Sequence, residues 1–189
     1  MIKYCMDTIN STLYNYLNYN TYDSLYKLYG KYRGKIQHYI PYYKYSITQI
    51  TPNIYIGDIH SASSSKLLKE LGIKNVICAI KGMDPMFPNE FNYMNLDLID
   101  TELQQISDVF DDTNKFIEKC ISNNEKILVH CVCGVSRSVS IVIAYLMKSE
   151  NNTYEQSLNF IKIKRNIAQP NKFFETQLRR YQNSLTNLD

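Results

Sequence analysis

The sequence lacks any apolar run near the ~20 residues that a membrane-spanning helix needs, and its first residues lack the charged-then-apolar pattern of a secretory signal. Its five cysteines are an odd number without the spacing of a disulfide framework. We therefore expect reduced thiols, a cytoplasmic location and no membrane partner.

Metal-ligand patterns and a strong charge bias are also absent. The three histidines are scattered, and no Cys/His cluster has the spacing of a metal site. The formal net charge is +3, and residues 46–189 hold fifteen basic against sixteen acidic side chains. This balance does not favour a nucleic-acid partner, and the sequence predicts no metal and no cofactor.

The 189 residues, 44% of them hydrophobic, suffice for one α/β domain with an extension. The extension is residues 1–45, which carry twelve of the seventeen tyrosines and a charge balance of +4. Tyr and Leu recur there at three- and four-residue spacing, which predicts short amphipathic helices. This arm can pack on its own domain, pair with a second copy or dock a partner. Our hypothesis is a homodimer through residues 1–45, because tyrosine is frequent at interfaces.

The most informative stretch runs from Lys126 to Ser138. The apolar run Ile127–Val129 predicts a strand buried on both faces, and a helical pattern follows Ser138, which is placed to open that helix. Between them the chain must turn sharply at the carboxyl edge of a sheet. Backbone N–H groups and a helix N-terminus converge there, and such a concavity binds an anion.

A thiol begins this loop and a guanidinium ends it, since Cys131 and Arg137 have five residues between them. N–H groups, a helix N-terminus and a nearby cation favour the thiolate form of a cysteine, so we expect Cys131 to be a nucleophile at neutral pH. Arg137 can bind two phosphate oxygens in a fork. A nucleophile beside an oxyanion site indicates phosphoryl transfer through cysteine.

The order His130, Cys131, five residues, Arg137 and Ser138 resembles the signature of the cysteine-dependent phosphatases. The helix that follows is similar to the dual-specificity branch, and the likeness covers about residues 46–183. It implies an α/β fold with a central, mostly parallel, twisted sheet of about five strands flanked by helices. The catalytic domain would then be residues 46–189, with the arm before it.

The resemblance also implies roles for the residues of the loop. Cys131 would form a cysteinyl-phosphate, and Ser138 would donate a hydrogen bond to the departing sulfur. His130 would order the loop. Arg137 and the loop N–H groups would bind the phosphate oxygens; the residues between Cys131 and Arg137 are Val132, Cys133, Gly134, Val135 and Ser136.

Asp100 is the candidate general acid, because it lies after a predicted strand and 31 residues before Cys131, as in similar phosphatases. Two alternatives stay open. Asp97 is a rival carboxylic acid, although we expect it within the strand and facing water. Asp100 could instead cap a helix that begins near Ile106.

Three further residues complete the predicted site. The turn that contains Asn171 resembles one that supports the phosphate loop in the family. Arg165 either adds positive potential beside the pocket or is an ordinary cation at a helix end. Cys78, at the end of a neighbouring predicted strand, is a candidate partner for reversible oxidation of Cys131.

The loop side chains between Cys131 and Arg137 carry no charge, whereas relatives that act on inositol lipids or RNA triphosphate ends need additional Lys or Arg there. A phosphorylated protein is therefore the favoured substrate, with both phosphotyrosine and phosphoserine/threonine accessible. The alternatives are a phosphoprotein-binding module without catalysis and an RNA 5′-phosphatase of the same fold.

Local patterns predict the remaining elements of the domain. These are a hairpin around residues 51–53, a helix over 61–71 ended by Gly72, strands over 74–80 and 91–98, a surface helix over 106–120, and a capping box of Thr153 and Gln156 that opens another helix.

Overall fold

The computed structural model describes residues 45–186. Residues 1–44, on which the predicted arm and its dimer depend, lie outside that range, as do residues 187–189.

Five strands and six α-helices follow one another along the described chain. The strands are β1 (Ile47–Gln49), β2 (Ile54–Gly57), β3 (Ile73–Ala79), β4 (Asn92–Leu96) and β5 (Lys126–His130). The helices are α1 (Ile59–Ala62), α2 (Ser65–Glu70), α3 (Phe110–Ser122), α4 (Arg137–Glu150), α5 (Tyr154–Lys164) and α6 (Lys172–Thr186), with a 3-10 turn, Ile106–Val109, before α3.

The strands form one sheet in the order β1-β2-β5-β3-β4. β1 pairs with β2 antiparallel at the edge, and the other pairs are parallel, as the sequence predicts. The hairpin turn is closed by the Thr51 hydroxyl, whose Oγ1 accepts from Ile54 N at 3.0 Å. Because β5 is central, the loop that follows it leaves the middle of the sheet at its carboxyl edge, where an open α/β sheet binds ligands.

The prediction of one helix over 61–71 is wrong. The chain instead forms two short helices, because two side chains cap separate starts. Asp58 Oδ1 accepts from Ser61 N at 2.8 Å and begins α1, and Ser64 Oγ accepts from Leu67 N at 3.3 Å and begins α2. Gly72 then ends α2 with a φ of +74°, as predicted.

Helices cover both faces of the sheet. On one face, α1 and α2 bury a cluster that includes Ala62, Leu68, Val76 and Leu128. α4 is buried along most of its length, packs against α3, α5 and α6, and ends at Asn151 in a left-handed conformation. The predicted capping box opens α5. No helix within residues 45–186 combines the length and the apolar character needed to cross a bilayer.

Candidate active site

The loop between β5 and α4 wraps around the sulfur of Cys131. Gly134 N donates to Cys131 Sγ at 3.2 Å, and Ser138 Oγ lies 3.3 Å from the same sulfur. The expectation that Ser138 opens the helix is wrong: α4 begins at Arg137, with Ser136 in the capping position. Ser138 is therefore in the first turn, where its side chain faces the thiol.

Every carbonyl of residues 132–135 accepts a hydrogen bond from a donor outside the loop. In a trans peptide the C=O of one residue and the N–H of the next point in opposite directions. Carbonyls held on the outer side therefore direct the N–H groups of residues 133–136 to the inner side, towards the anion position. The four bonds are Ile59 N to Val132 O (3.1 Å), Arg165 Nη2 to Cys133 O (3.3 Å), Arg165 Nε to Gly134 O (2.8 Å) and Gln169 N to Val135 O (2.8 Å).

The loop is also pressed closely against β2 at Gly134. This residue has a φ of +67°, and a Cβ added to it would lie 2.6 Å from the Gly57 carbonyl oxygen and 2.5 Å from Arg165 Nη2. Only glycine fits both the left-handed backbone and the close approach.

Arg165 is at the end of α5, but the interpretation as an ordinary helix-end cation is wrong, because the residue is only 4% exposed. Besides the two loop carbonyls, its guanidinium donates to Thr48 Oγ1 at 3.0 Å and Ser46 Oγ at 2.9 Å. Burial lowers the pKa of Arg165 from its usual value. The Arg165 side chain thus links the outer carbonyls of the loop to the hydroxyl groups of Ser46 and Thr48 at the edge of the sheet.

Arg137 closes the other end of the loop and is 5% exposed. Its Nη1 donates to Leu98 O at 3.0 Å, and its Nε lies 3.5 Å from Asp100 Oδ2. These contacts fix the guanidinium at the rim of the loop, beside the segment that carries Asp100.

Asp100 lies against the loop. Its Oδ1 accepts from Ser136 Oγ at 2.8 Å and from Asn171 Nδ2 at 2.6 Å. The helix-capping alternative is wrong, since Gln105 precedes the 3-10 turn and makes no side-chain cap. Asp97 follows β4 and is exposed, and its Oδ1 accepts from Gly82 N at 2.5 Å.

Ser136 caps no helix N–H group, because its hydroxyl is directed to Asp100 instead. The first N–H groups of α4 are therefore not capped by this side chain, and they add to the anion-binding surface of the loop. No group of three or more His, Cys, Asp or Glu side chains among residues 45–186 is placed to hold a metal ion.

His130 is buried beneath the loop, and burial, with the nearby Arg137 cation, lowers the pKa of this imidazole to about 4. Its Nδ1 lies 3.4 Å from Cys131 O. A neutral ring with the proton on Nδ1 can donate to that carbonyl, which agrees with an ordering role.

The other two cysteines near the loop are placed differently. Cys78 is buried in β3 directly opposite His130, the residue before Cys131. Its oxidative pairing with Cys131 remains a prediction. The side chain of Cys133 is exposed, so this residue reaches the predicted site through its backbone.

The sequence did not reveal the residues outside the Cys131-to-Ser138 motif that hold Arg165, Arg137 and the segment after Asp100 in place. Ser46 and Thr48 bind Arg165, the Leu98 carbonyl orients Arg137, and Gln177 holds the acid-bearing segment by donating to Gln104 O at 2.9 Å. These contacts join residues that are far apart in the chain, so no local pattern of the sequence indicates them.

A thiol surrounded by loop N–H groups, with an arginine and a carboxylic acid at the rim, is the arrangement that the sequence predicts for phosphoryl transfer through cysteine. Residues 54–184 match the family described as "Dual specificity phosphatase, catalytic domain", which is more than half of the chain. The chain therefore belongs to the dual-specificity phosphatase family.

Similar proteins agree with this assignment. The chain is 38% identical over 139 residues to MAP kinase phosphatase with leucine-rich repeats protein 3 of Dictyostelium discoideum, covering 73% of this chain but only 16% of that protein. It is 30% identical over 139 residues to dual specificity protein phosphatase 1B of Arabidopsis thaliana, covering 74% of this chain and 83% of that protein. The crystal structure of human tyrosine phosphatase-like serine/threonine/tyrosine-interacting protein aligns with a TM-score of 0.72 and 31% identity, over 76% of this chain and 99% of that chain.

Proposed function

We propose that this chain is a protein phosphatase that hydrolyses phosphotyrosine and phosphoserine/threonine through a cysteinyl-phosphate. The observation that carries the proposal is the loop itself. Its outer carbonyls are all bound by the fold, its inner side presents N–H groups around Cys131, and Arg137 and Asp100 lie together at its rim.

In the first step the Cys131 thiolate attacks phosphorus in line with the leaving oxygen. The S–P bond forms as the P–O bond breaks, and Asp100 gives its proton to the departing oxygen. Arg137 and the loop N–H groups bind the three equatorial oxygens, where charge is concentrated in the transition state.

In the second step Asp100, now a carboxylate, takes a proton from water. The water oxygen bonds to phosphorus, the S–P bond breaks, and inorganic phosphate is released. The Ser138 hydroxyl, 3.3 Å from Sγ, is placed to donate to the sulfur as it leaves as a thiolate. His130 has no part in proton transfer, because it is buried beneath the loop and contacts the Cys131 carbonyl.

The substrate class is supported by the charge of the site. The loop side chains between Cys131 and Arg137 are uncharged, and Arg165 bonds the outer side of the loop. Arg137 thus provides the one cationic side chain of the Cys131-to-Ser138 motif, which suits a single phosphate monoester better than several adjoining phosphates.

Turnover of para-nitrophenyl phosphate by the full chain, lost in Cys131→Ser, tests the activity. An Asp100→Ala variant mixed with a phosphopeptide panel tests the substrate class, since it should retain bound phosphopeptide. Binding of phosphopeptides without turnover by a folded wild-type chain would favour a binding module instead. Phosphate release from triphosphate-ended RNA, but not from phosphopeptides, would favour an RNA 5′-phosphatase.

We also propose a cytoplasmic location and a homodimer for this protein. A cytoplasmic location is supported by the cysteine pattern of the sequence, which has five cysteines without the spacing of a disulfide framework, since thiols stay reduced in the cytoplasm. A homodimer through residues 1–45 is supported by the tyrosine-rich composition of that segment. Light scattering should give a dimer for the full chain and a monomer for a chain that begins at Tyr42; two monomers would contradict it.

A further inference from the structure

Asn171 uses both ends of its side-chain amide at once. It occupies the position before α6, where its Oδ1 accepts from Phe173 N at 3.0 Å and Phe174 N at 2.9 Å. These two N–H donors require the oxygen on that side, so the amide nitrogen must face the other way. There Nδ2 donates to Asp100 Oδ1 at 2.6 Å.

The helix behind Asn171 is firmly packed. Phe174 and Leu178 are fully buried, and Gln177 holds the segment after Asp100 by accepting from Ser107 N at 3.1 Å and donating to Gln104 O at 2.9 Å. The start of α6 is therefore a rigid support from which one N–H group reaches the acid. The backbone N of Asn171 also donates to Ser136 Oγ at 3.2 Å, so the three residues form a closed network.

Both short hydrogen bonds to the Asp100 carboxyl end on the same oxygen. Asn171 Nδ2 and Ser136 Oγ occupy Oδ1, whereas Oδ2 lies 3.5 Å from Arg137 Nε, on the side of the phosphate-binding guanidinium. An oxygen that accepts two donors is a poor place for a proton. The proton of the neutral acid therefore belongs on Oδ2.

We propose that Asn171 is a positioning residue for proton transfer: with Ser136 it occupies Oδ1 of Asp100 and so assigns the transferred proton to Oδ2, the oxygen on the side of Arg137. This inference rests on the proposed phosphatase function and deepens it. It differs from support of the phosphate loop alone, because it acts through Asp100.

The leaving group distinguishes these two roles. The leaving group of phenyl phosphate is a phenolate like that of tyrosine, whose conjugate acid has a pKa of about 10, so it needs a proton to leave. The para-nitrophenolate of para-nitrophenyl phosphate leaves readily without one. Loss of an acid-positioning contact should therefore slow phenyl phosphate far more than para-nitrophenyl phosphate. Loss of loop support should slow both substrates equally, because both have the same phosphoryl group.

The test compares full-length wild type, Asn171→Ser, Asp100→Ala and the double variant on the two substrates. Serine caps a helix about as well as asparagine, but its shorter side chain lacks the separate NH2 group that donates to Asp100. Asn171→Gly serves as a second variant, because glycine is also tolerated at a helix cap. Thermal unfolding of each variant checks that α6 remains folded.

For Asn171→Ser we expect kcat/KM for phenyl phosphate to fall about tenfold, a part of the ~10²-fold or more that a positioned acid supplies, with less than about a threefold fall for para-nitrophenyl phosphate. The double variant should be no slower than Asp100→Ala. Equal falls on both substrates, or a further loss in the double variant, would overturn the role of Asn171 while leaving the phosphatase intact. A folded wild type that turns over neither substrate would overturn the proposed function itself.

Discussion

Arg165→Met should separate the loop from its support. Methionine keeps a long apolar side chain but removes the guanidinium that bonds the Cys133 and Gly134 carbonyls. Each buried carbonyl left without a donor costs ~1–3 kcal/mol, and relief of the buried charge offsets part of the sum. We expect the free energy of unfolding to fall by ~3 kcal/mol, which for a chain of this size lowers Tm by about 6–12 °C.

The kcat/KM of Arg165→Met should also fall, by more than the smaller fraction of folded protein would cause. Released carbonyls allow the loop N–H groups to turn away from the anion, and a displacement of about 1 Å at a reacting centre can reduce the rate ~10²-fold. Urea unfolding and kcat/KM for para-nitrophenyl phosphate measure the two effects on the same preparation.

Arg179→Met is the matched control. Arg179 is half-exposed on α6 and pairs with Glu155 and Glu175, so its loss should change stability by less than about 1 kcal/mol and leave kcat/KM unchanged. If Arg165→Met behaved like this control, the loop would not depend on Arg165, and the account of its outward carbonyls would be refuted.

Three more predictions concern the loop and its surroundings. Gly134→Ala, at a φ of +67° with a backbone oxygen 2.6 Å from the new Cβ, should cost several times the ~1 kcal/mol expected for Gly72→Ala, where φ is +74° but the nearest atom is 3.8 Å away; urea unfolding of both variants measures this. Burial lowers the pKa of His130 to about 4 against 6.5 in the unfolded chain, so the unfolded state binds more protons and stability should fall as pH drops from 6.5 to 4, by at most ~3 kcal/mol. A His130→Gln variant should show a flatter pH profile of unfolding, and an unchanged slope would contradict the assignment. Peroxide treatment and peptide mapping should yield a Cys78–Cys131 disulfide, whereas Cys131 recovered only as sulfinic acid would contradict it.

The central motif could be predicted because its signals are local. The apolar run of β5, the loop and the pattern of α4 lie within 25 residues of one another, and the sheet follows from short apolar segments of the same kind. The predictions of secondary structure that were wrong concerned the residues at which helices begin. The prediction over 61–71 rested on the spacing of Leu67, Leu68 and Leu71, which did not show that Asp58 and Ser64 would each begin a helix.

The support of the site could not be predicted because its contacts join distant parts of the chain. Arg165 meets Thr48 and Ser46 across 117 and 119 residues, and Asn171 meets Asp100 across 71. A single sequence contains no signal for such pairs. For Arg165, the sequence left a cation beside the pocket and an ordinary helix-end cation as alternatives, and the fold buries the residue behind the loop.

The buried Arg165 supplies, from behind the loop, positive charge that the loop side chains themselves lack. A guanidinium that bonds the Cys133 and Gly134 carbonyls draws electron density through those peptide groups, which makes the N–H groups on their inner side, those of Gly134 and Val135, stronger donors. A positive charge behind the loop thus strengthens anion binding in front of it without placing a second cation in the pocket. Charge placed on the loop side chains would instead extend towards the substrate and favour molecules with several phosphates. An arginine on the outer side of the loop therefore fits the proposed substrate, a single phosphate monoester, because it adds no second cation to the pocket.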